Sequence, residues 1–165
     1  MKLLEISLLA CLCVSTASWA LSSDTQQPLY INADSQSLDM KNNRVTFNGD
    51  VTLKQGSINI QADKLIVIRP KNKEGREIIE AYGNPARFSQ MTDTGETLKG
   101  KANKLKYEVA KEFLRMSGKA ELAQDDSLIQ SEMITYQIST QKLMADGGEN
   151  KRVTTILQPS QLNNK

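Results

Sequence analysis

The stretch INIQADKLIV, Ile58–Val67, centres on Ile60-Gln61-Ala62-Asp63. Ile31-Asn32-Ala33-Asp34 is an earlier version of the same phrase. Aligning the chain against itself brings Asn103 and Glu132 into the same place, within GKANKLKY and IQSEMITY. A glycine follows each: Gly49, Gly83, Gly118 and Gly147. The step from Asp34 to Gly49 recurs unchanged from Asn103 to Gly118 and from Glu132 to Gly147; only that from Asp63 to Gly83 is longer. The return step from Gly49 to Asp63 recurs unchanged from Gly118 to Glu132, and that from Gly83 to Asn103 is longer. The repeat unit is therefore the span from Asp34 to Asp63, about 29 residues. Its insertions fall in KNKEG (71–75) and MTDTGET (91–97). Both are rich in turn formers and charge, as insertions in surface loops are. Shared steps of this kind mark a structural repeat.

Within each unit apolar residues alternate. Val45, Phe47, Gly49, Val51 and Leu53 share one face, and Thr46, Asn48, Asp50, Thr52 and Lys54 the other. Leu114, Met116, Gly118, Ala120 and Leu122 repeat the pattern, as do Leu29 with Ile31, and Leu105, Tyr107 with Val109. Period two with one apolar face predicts half-buried antiparallel strands. KLKYEVAKEFLRM (104–116) has helix formers at helical spacing. The repeat overrules a helix there, because Val109–Glu112 aligns with the turn sequences at 40–43 and 69–72, which predicts a hairpin. Stacked units with glycine and Asp/Asn corners predict an all-β fold: a two-sheet antiparallel sandwich, jelly-roll-like or solenoid-like, with a shared apolar interior.

The first twenty residues, MKLLEISLLACLCVSTASWA, read as a secretory signal cleaved after Ala20, with an apolar run too short to span a bilayer. A lipoprotein site at Cys11 is disfavoured, since only ten residues precede it. Cys11, Cys13 and Trp19 all fall in this segment, and the chain has no histidine. The exported remainder must hold together without disulfides. The 165 residues suit one domain, and a net charge of +2 gives no argument for nucleic acid.

Chemistry is poorly provided for. Without histidine or mature cysteine the usual nucleophile–base pairs and most metal sites are missing, so no enzyme activity, metal or cofactor is expected. Asp34, Asp63 and Glu132 recur at equivalent corners, which favours turn roles over acid–base catalysis. Arg69, Lys71, Lys73 and Arg76 form a basic loop: either solvated, or meeting anionic groups of a ligand, with Arg76 and Arg69 the leading candidates. The strand interiors are filled mainly with Ile, Leu, Val, Met and Ala, a surface able to accept alkyl chains if the sheets do not close fully. Leaving such chains in water costs about 0.8 kcal/mol per CH₂.

The end strands, PLYINAD (28–34) and KRVTTILQ (151–158), are thinly protected edges. Leu29, Tyr30 and Ile31 at one end, and Val153, Thr154, Thr155, Ile156 and Leu157 at the other, could add strand to strand between copies, head to tail.

The stretches LYINADSQSLDMKNNRVTFNGDVTLKQGSINIQADKL, YGNPARFSQM, KLKYEVAKEFLRMSG and KRVTTILQPSQL resemble the OstA-like family of periplasmic lipopolysaccharide-transport proteins over nearly all of the mature chain. The resemblance implies an open, slightly twisted β-jelly roll in the periplasm whose groove takes the acyl chains of lipopolysaccharide (lipid A). It implies head-to-tail copies that bridge the membranes and dock onto inner-membrane LptC and outer-membrane LptD. By motif, Leu29, Ile31, Phe88, Tyr107 and Val109 match groove positions, and Arg76 a basic position beside the path. The expected organisation is a cleaved signal (1–20), a flexible lead (21–27), an OstA-like domain (28–159) and a flexible tail (160–165).

Overall fold

The computed structural model describes residues 24–71 and 76–158. The alternating segments form β1 (Tyr30–Asn32), β2 (Ser35–Asp39), β3 (Arg44–Gln55), β4 (Ile58–Ile68), β5 (Ile78–Met91), β6 (Thr97–Glu108), β7 (Phe113–Gln124), β8 (Ser127–Gln137), β9 (Lys142–Asp146) and β10 (Thr154–Ile156). A turn of 3-10 helix, Asp24–Gln26, precedes them, and another, Val109–Lys111, joins β6 to β7. The helix-like stretch 104–116 is thus a hairpin, as the repeat requires. The insertion at 91–97 is the β5–β6 turn; of the insertion at 71–75, residues 72–75 lie outside the described residues.

Strands β3 to β8 pair in sequence order, all antiparallel. β1 and β2 both pair with β3 at one end; β9 and β10 both pair with β8 at the other. The result is one continuous ten-stranded sheet.

What turns one sheet into two layers is a line of register breaks. Each central ladder shifts at the same height: between Asn48 and Val51 in β3, Gln61 and Lys64 in β4, Tyr82 and Ala86 in β5, Lys101 and Lys104 in β6, and Ser117 and Ala120 in β7. The repeated acid–glycine positions lie on this line. Gly49-Asp50 stands opposite Asp63, and Gly118-Lys119 opposite Glu132, two residues against one. Gly49 and Gly118 take φ of +80° and +79°, which glycine adopts without strain and which bulges of this type use. A Cβ on Gly49 would lie 2.2 Å from Asp34 Oδ2, so the aspartate side chain occupies the space a larger residue would need. The Asp34 amide also donates to the Gly49 carbonyl at 3.0 Å. The corner aspartate and the glycine are one packing unit across two strands.

Folded along this line, the sheet encloses its apolar face. One layer holds β1, β10 and the strand halves next to the turns at 56–57, 92–96 and 125–126. The other holds β2, β9 and the halves next to the turns at 40–43, 109–112 and 138–141 and next to the β4–β5 connection. Contacts between layers close the interior. The Phe88 and Tyr136 rings meet edge-on, 6.4 Å between centroids. Gly100 leaves room for Met116, whose Sδ would be 2.6 Å from an added Cβ. Leu53, Ile60, Leu65, Ile79, Leu105 and Leu114 are fully buried between them.

Replacing Gly49 with alanine should lower stability by about 2 kcal/mol, from the left-handed backbone and the clash with Asp34 together. Adding Asp34→Ala should restore only the clash component. Urea denaturation of the single and double variants checks this; a Gly49→Ala protein as stable as the parent would remove the corner from the account.

Candidate functional site

The expected groove residues all reach the shared interior. Phe88, Tyr107 and Val109 are buried within the apolar cluster, and Leu29 and Ile31 pack half-buried against it. They are spread out rather than gathered. Ile31 stands at the β1–β2 end, Phe88 and Tyr107 line opposite layers, and Val109 begins the β6–β7 turn. Pro85 lies in the register break, and the inward alternation resumes at Ala86 and Phe88.

The centre of the interior is filled by side chains, and the open space lies at its margins. Beside β1 and β2 a cleft of about 280 Å³ is lined by Ile31, Ala33 and Phe47 together with the polar Asn32, Asp34, Ser35 and Gln36. At the far end a cavity of about 230 Å³ is lined by Leu98, Leu122, Ile129, Tyr136, Leu143 and Leu157. Sequence reasoning does not single out Ile129, Tyr136 or Leu143 for this role. The alternation on either side of the corner at Glu132 carries the signal: Ile129 before it, Ile134 and Tyr136 after it, and Leu143 with Ala145 on β9 all face inward.

The long free margin, where turns of the two layers approach each other, is polar. A cleft of about 270 Å³ there is lined by Asp24, Thr25, Ser57, Gln90, Asp93, Glu112, Ser139 and Gln141, among others. Just inside lies Gln55, a buried polar side chain that accepts a hydrogen bond from the Tyr107 hydroxyl at 2.9 Å. Burial pushes the Tyr107 phenol well above its ordinary value, and the carboxylates of Glu112 and Asp24 push it further. Tyr136 is raised likewise, by burial first and then by Asp93 and Asp24. Both phenols therefore stay neutral through the physiological range.

Arg76 is exposed and lines a cleft of about 430 Å³ with Pro70, Glu77, Ile78, Glu108, Ala110 and Lys111. Arg69 is also exposed, its Nε 3.9 Å from Glu77 Oε1. The two arginines flank the same loop, with carboxylates interleaved. The corner acids are dispersed along the bend, and Glu132 accepts from Lys151 Nζ at 2.6 Å.

The edges are bare. Tyr30 on β1 is 65% exposed, and beyond β8 Val153, Ile156 and Leu157 are all exposed. The β-prone run 151–158 pairs over three residues only, Thr154–Ile156 against Leu128–Gln130. Leu38 and Met40 on one end and Met144 on the other are further exposed apolar side chains.

Residues 30–142 match the model of the family described as LptA/(LptD N-terminal domain) LPS transport protein. The chain belongs to this family. Similarity to individual relatives extends past the matched region. The chain is 47% identical over 154 residues to the lipopolysaccharide export system protein LptA of Escherichia coli K12, covering 93% of this chain and 83% of that protein. It is 46% identical over 149 residues to LptA of Haemophilus influenzae, covering 90% and 87%. The crystal structure of LptH, described as the LptA-homologous periplasmic component of the lipopolysaccharide transport device of Pseudomonas aeruginosa, superposes with a TM-score of 0.75. That match has 26% identity and covers 83% of this chain and 99% of that one. The all-β, open antiparallel architecture is thus shared within the LptA family.

Tyr107→Phe leaves Gln55 Oε1 without its buried donor and should cost about 2 kcal/mol. It should also change the alkaline limb. A phenol raised in the folded state stays protonated there after the unfolded chain has lost its proton, so the folded protein loses stability as pH rises past about 10. Denaturation midpoints measured between about pH 9 and about pH 11 should fall less steeply in Tyr107→Phe than in the parent. Equal slopes would show that Tyr107 does not carry this dependence.

Proposed function

We propose that this protein transports lipopolysaccharide across the periplasm, sheltering the acyl chains of lipid A between its two layers and passing them along a head-to-tail row of copies. The observation that carries the proposal is the apolar interior, which reaches an apolar cavity at the β8–β10 end of the sheet and a more polar cleft beside β1 and β2, in a member of the LPS transport family. The relatives, export system proteins and a periplasmic transport component, support the substrate and the compartment. The role is that of a binding scaffold rather than a catalyst: the recurring acids serve the bend, and the energy for transport comes from outside this chain. The leader 1–20 would be removed on export, leaving the OstA-like domain 28–159 between short terminal segments. Leu29, Ile31, Phe88, Tyr107 and Val109, with Ile129, Tyr136 and Leu143 at the far end, would contact acyl chains. Arg76 and Arg69 would meet the anionic groups outside.

Because Leu53, Leu65, Ile79 and Leu105 fill the centre at rest, chains can pass only if the layers part there. The gain from burying alkyl chains, about 0.8 kcal/mol per CH₂, can offset that opening over a few methylenes.

Strand direction supports end-to-end growth. Each layer crosses eight strands in antiparallel order, from β1 to β10 in one and from β2 to β9 in the other. With an even number, the first and last strands run opposite ways. A copy translated along the row therefore meets its neighbour antiparallel in both layers at once, and apolar residues such as Leu38 and Leu157 are covered. LptC and LptD would dock on these edges through the same fold.

A photo-crosslinking residue at Val109, Ile129 or Leu143 should form adducts with lipopolysaccharide, and one at Glu121, on the outer face, should not. The absence of adducts from all three inner positions would leave the interior as core alone. Deleting Lys151–Lys165 should keep the β circular dichroism spectrum and abolish concentration-dependent assembly in light scattering. Unchanged assembly would exclude β10 as the pairing edge.

A further inference from the structure

The sequence predicts a flexible lead at 21–27, and within it Asp24–Gln27 carry a dense set of side-chain hydrogen bonds. Asp24 Oδ1 accepts from the Ser57 amide at 2.7 Å, and Oδ2 from Ser57 Oγ at 2.6 Å and Gln90 Nε2 at 3.0 Å. Gln55 Nε2 donates to the carbonyls of Thr25 and Gln27, both at 3.0 Å. These anchors belong to the β3–β4 turn region and β5, on the layer that holds β1. On the other side Thr25 Oγ1 donates to Glu112, in the β6–β7 turn of the opposite layer. The segment therefore spans the free margin from one layer to the other.

Its position relative to the interior is equally specific. Gln55 lies directly beneath it, and Tyr107 beneath Gln55, each hydrogen-bonded to the next. Both side chains are almost fully buried, Gln55 at 2% and Tyr107 at 1% exposure. Gly56 is kept small by the same segment: an added Cβ would lie 2.3 Å from Asp24 Oδ1. Yet the strap itself has no buried residue. It is held by polar contacts whose groups water can satisfy, the kind of element that opens locally at low cost while the apolar core stays folded. Gln90, also buried, keeps an Oε1 without a hydrogen-bond partner beside the strap, so the closed margin is not fully satisfied either.

We propose that Asp24–Gln27 is a strap that closes the lateral entrance to the interior, and that its release from Ser57, Gln90 and Glu112 admits the acyl chains of lipopolysaccharide. The proposal rests on the lipid-sheltering reading above and specifies how access is regulated. With the strap down, the two layers are tied together at the level of Tyr107 and the filled centre cannot part. With the strap lifted, Gln55 turns to solvent and the margin opens along the turns at 56–57 and 109–112.

The test pins the strap and frees it in the same fold. Asp24→Cys with Ser57→Cys, in the chain without the leader that carries Cys11 and Cys13, places two thiols where the carboxylate and hydroxyl now meet. Asp24→Ala removes the anchor instead. Binding of purified lipopolysaccharide is followed by stopped-flow fluorescence, with circular dichroism confirming the fold. The oxidised double-cysteine protein should bind at least about tenfold more slowly than the parent and recover on reduction, and Asp24→Ala should bind faster than the parent. Equal rates for oxidised and reduced protein would overturn the strap while leaving lipid binding standing. No binding by the parent or any variant would overturn the lipid reading, and the strap with it.

Discussion

The structure depends on one line of shifted backbone pairing. A flat antiparallel sheet of ten strands would expose its apolar face along its whole length. Breaking register at the same height in every central ladder lets the sheet fold over on itself, so that each long strand contributes to both layers. The residues that enable this are few and small. Gly49 and Gly118 accept a left-handed backbone, and Asp34 and Asn103 occupy the space each leaves empty. In these two repeats the corner side chain is not a chemical centre; it is the partner of a glycine on the next strand. Everything inside, from the Phe88–Tyr136 contact to the buried leucines, follows from where that line falls.

Much of this can be read from the amino-acid order because the bend is local and repeated. The steps from Asp34 to Gly49 and from Gly49 to Asp63 are strand lengths, and on either side of each corner inward positions follow by counting in twos. The same register identifies 104–116 as a hairpin against its helical composition, because tertiary pairing overrides intrinsic propensity when the neighbours demand a turn. The family resemblance assigns Leu29, Ile31, Phe88, Tyr107 and Val109 to the interior, and alternation agrees for most of them. What counting cannot deliver are the contacts between layers. Tyr107 and Gln55 are far apart in the chain, and nothing periodic relates a glutamine at the end of β3 to a phenol on β6. Gln55 and Gln90 look like ordinary polar strand residues until the segment that covers them is in place. The 24–27 segment is short, polar and outside the repeat, so composition alone assigns it to a lead.

The interior thus has two regimes. Its centre is densely apolar and resists change in volume, as close-packed cores do. Its free margin is polar, acidic and held by hydrogen bonds, with neutral phenols of raised pKa reaching toward it from inside. Such a margin can rearrange without disturbing the bend, because the two are at opposite ends of the strand halves. A protein that must stay folded while its layers separate benefits from this division: the hinge is built of backbone geometry, the closure of exchangeable polar contacts.

The even strand count has a consequence for how long such a protein can be. One repeat unit, from the corner at Asp34 to the next at Asp63, adds two strands to each layer. Gaining or losing a whole unit keeps the outer strands opposed, and the ends still match those of another copy. Gaining or losing a single strand would set the outer strands parallel and leave every junction mismatched in both layers. Size in this architecture is therefore quantised: chains compatible with one another differ by complete hairpins, and partners of unequal length can share one continuous sheet only if they keep the same parity.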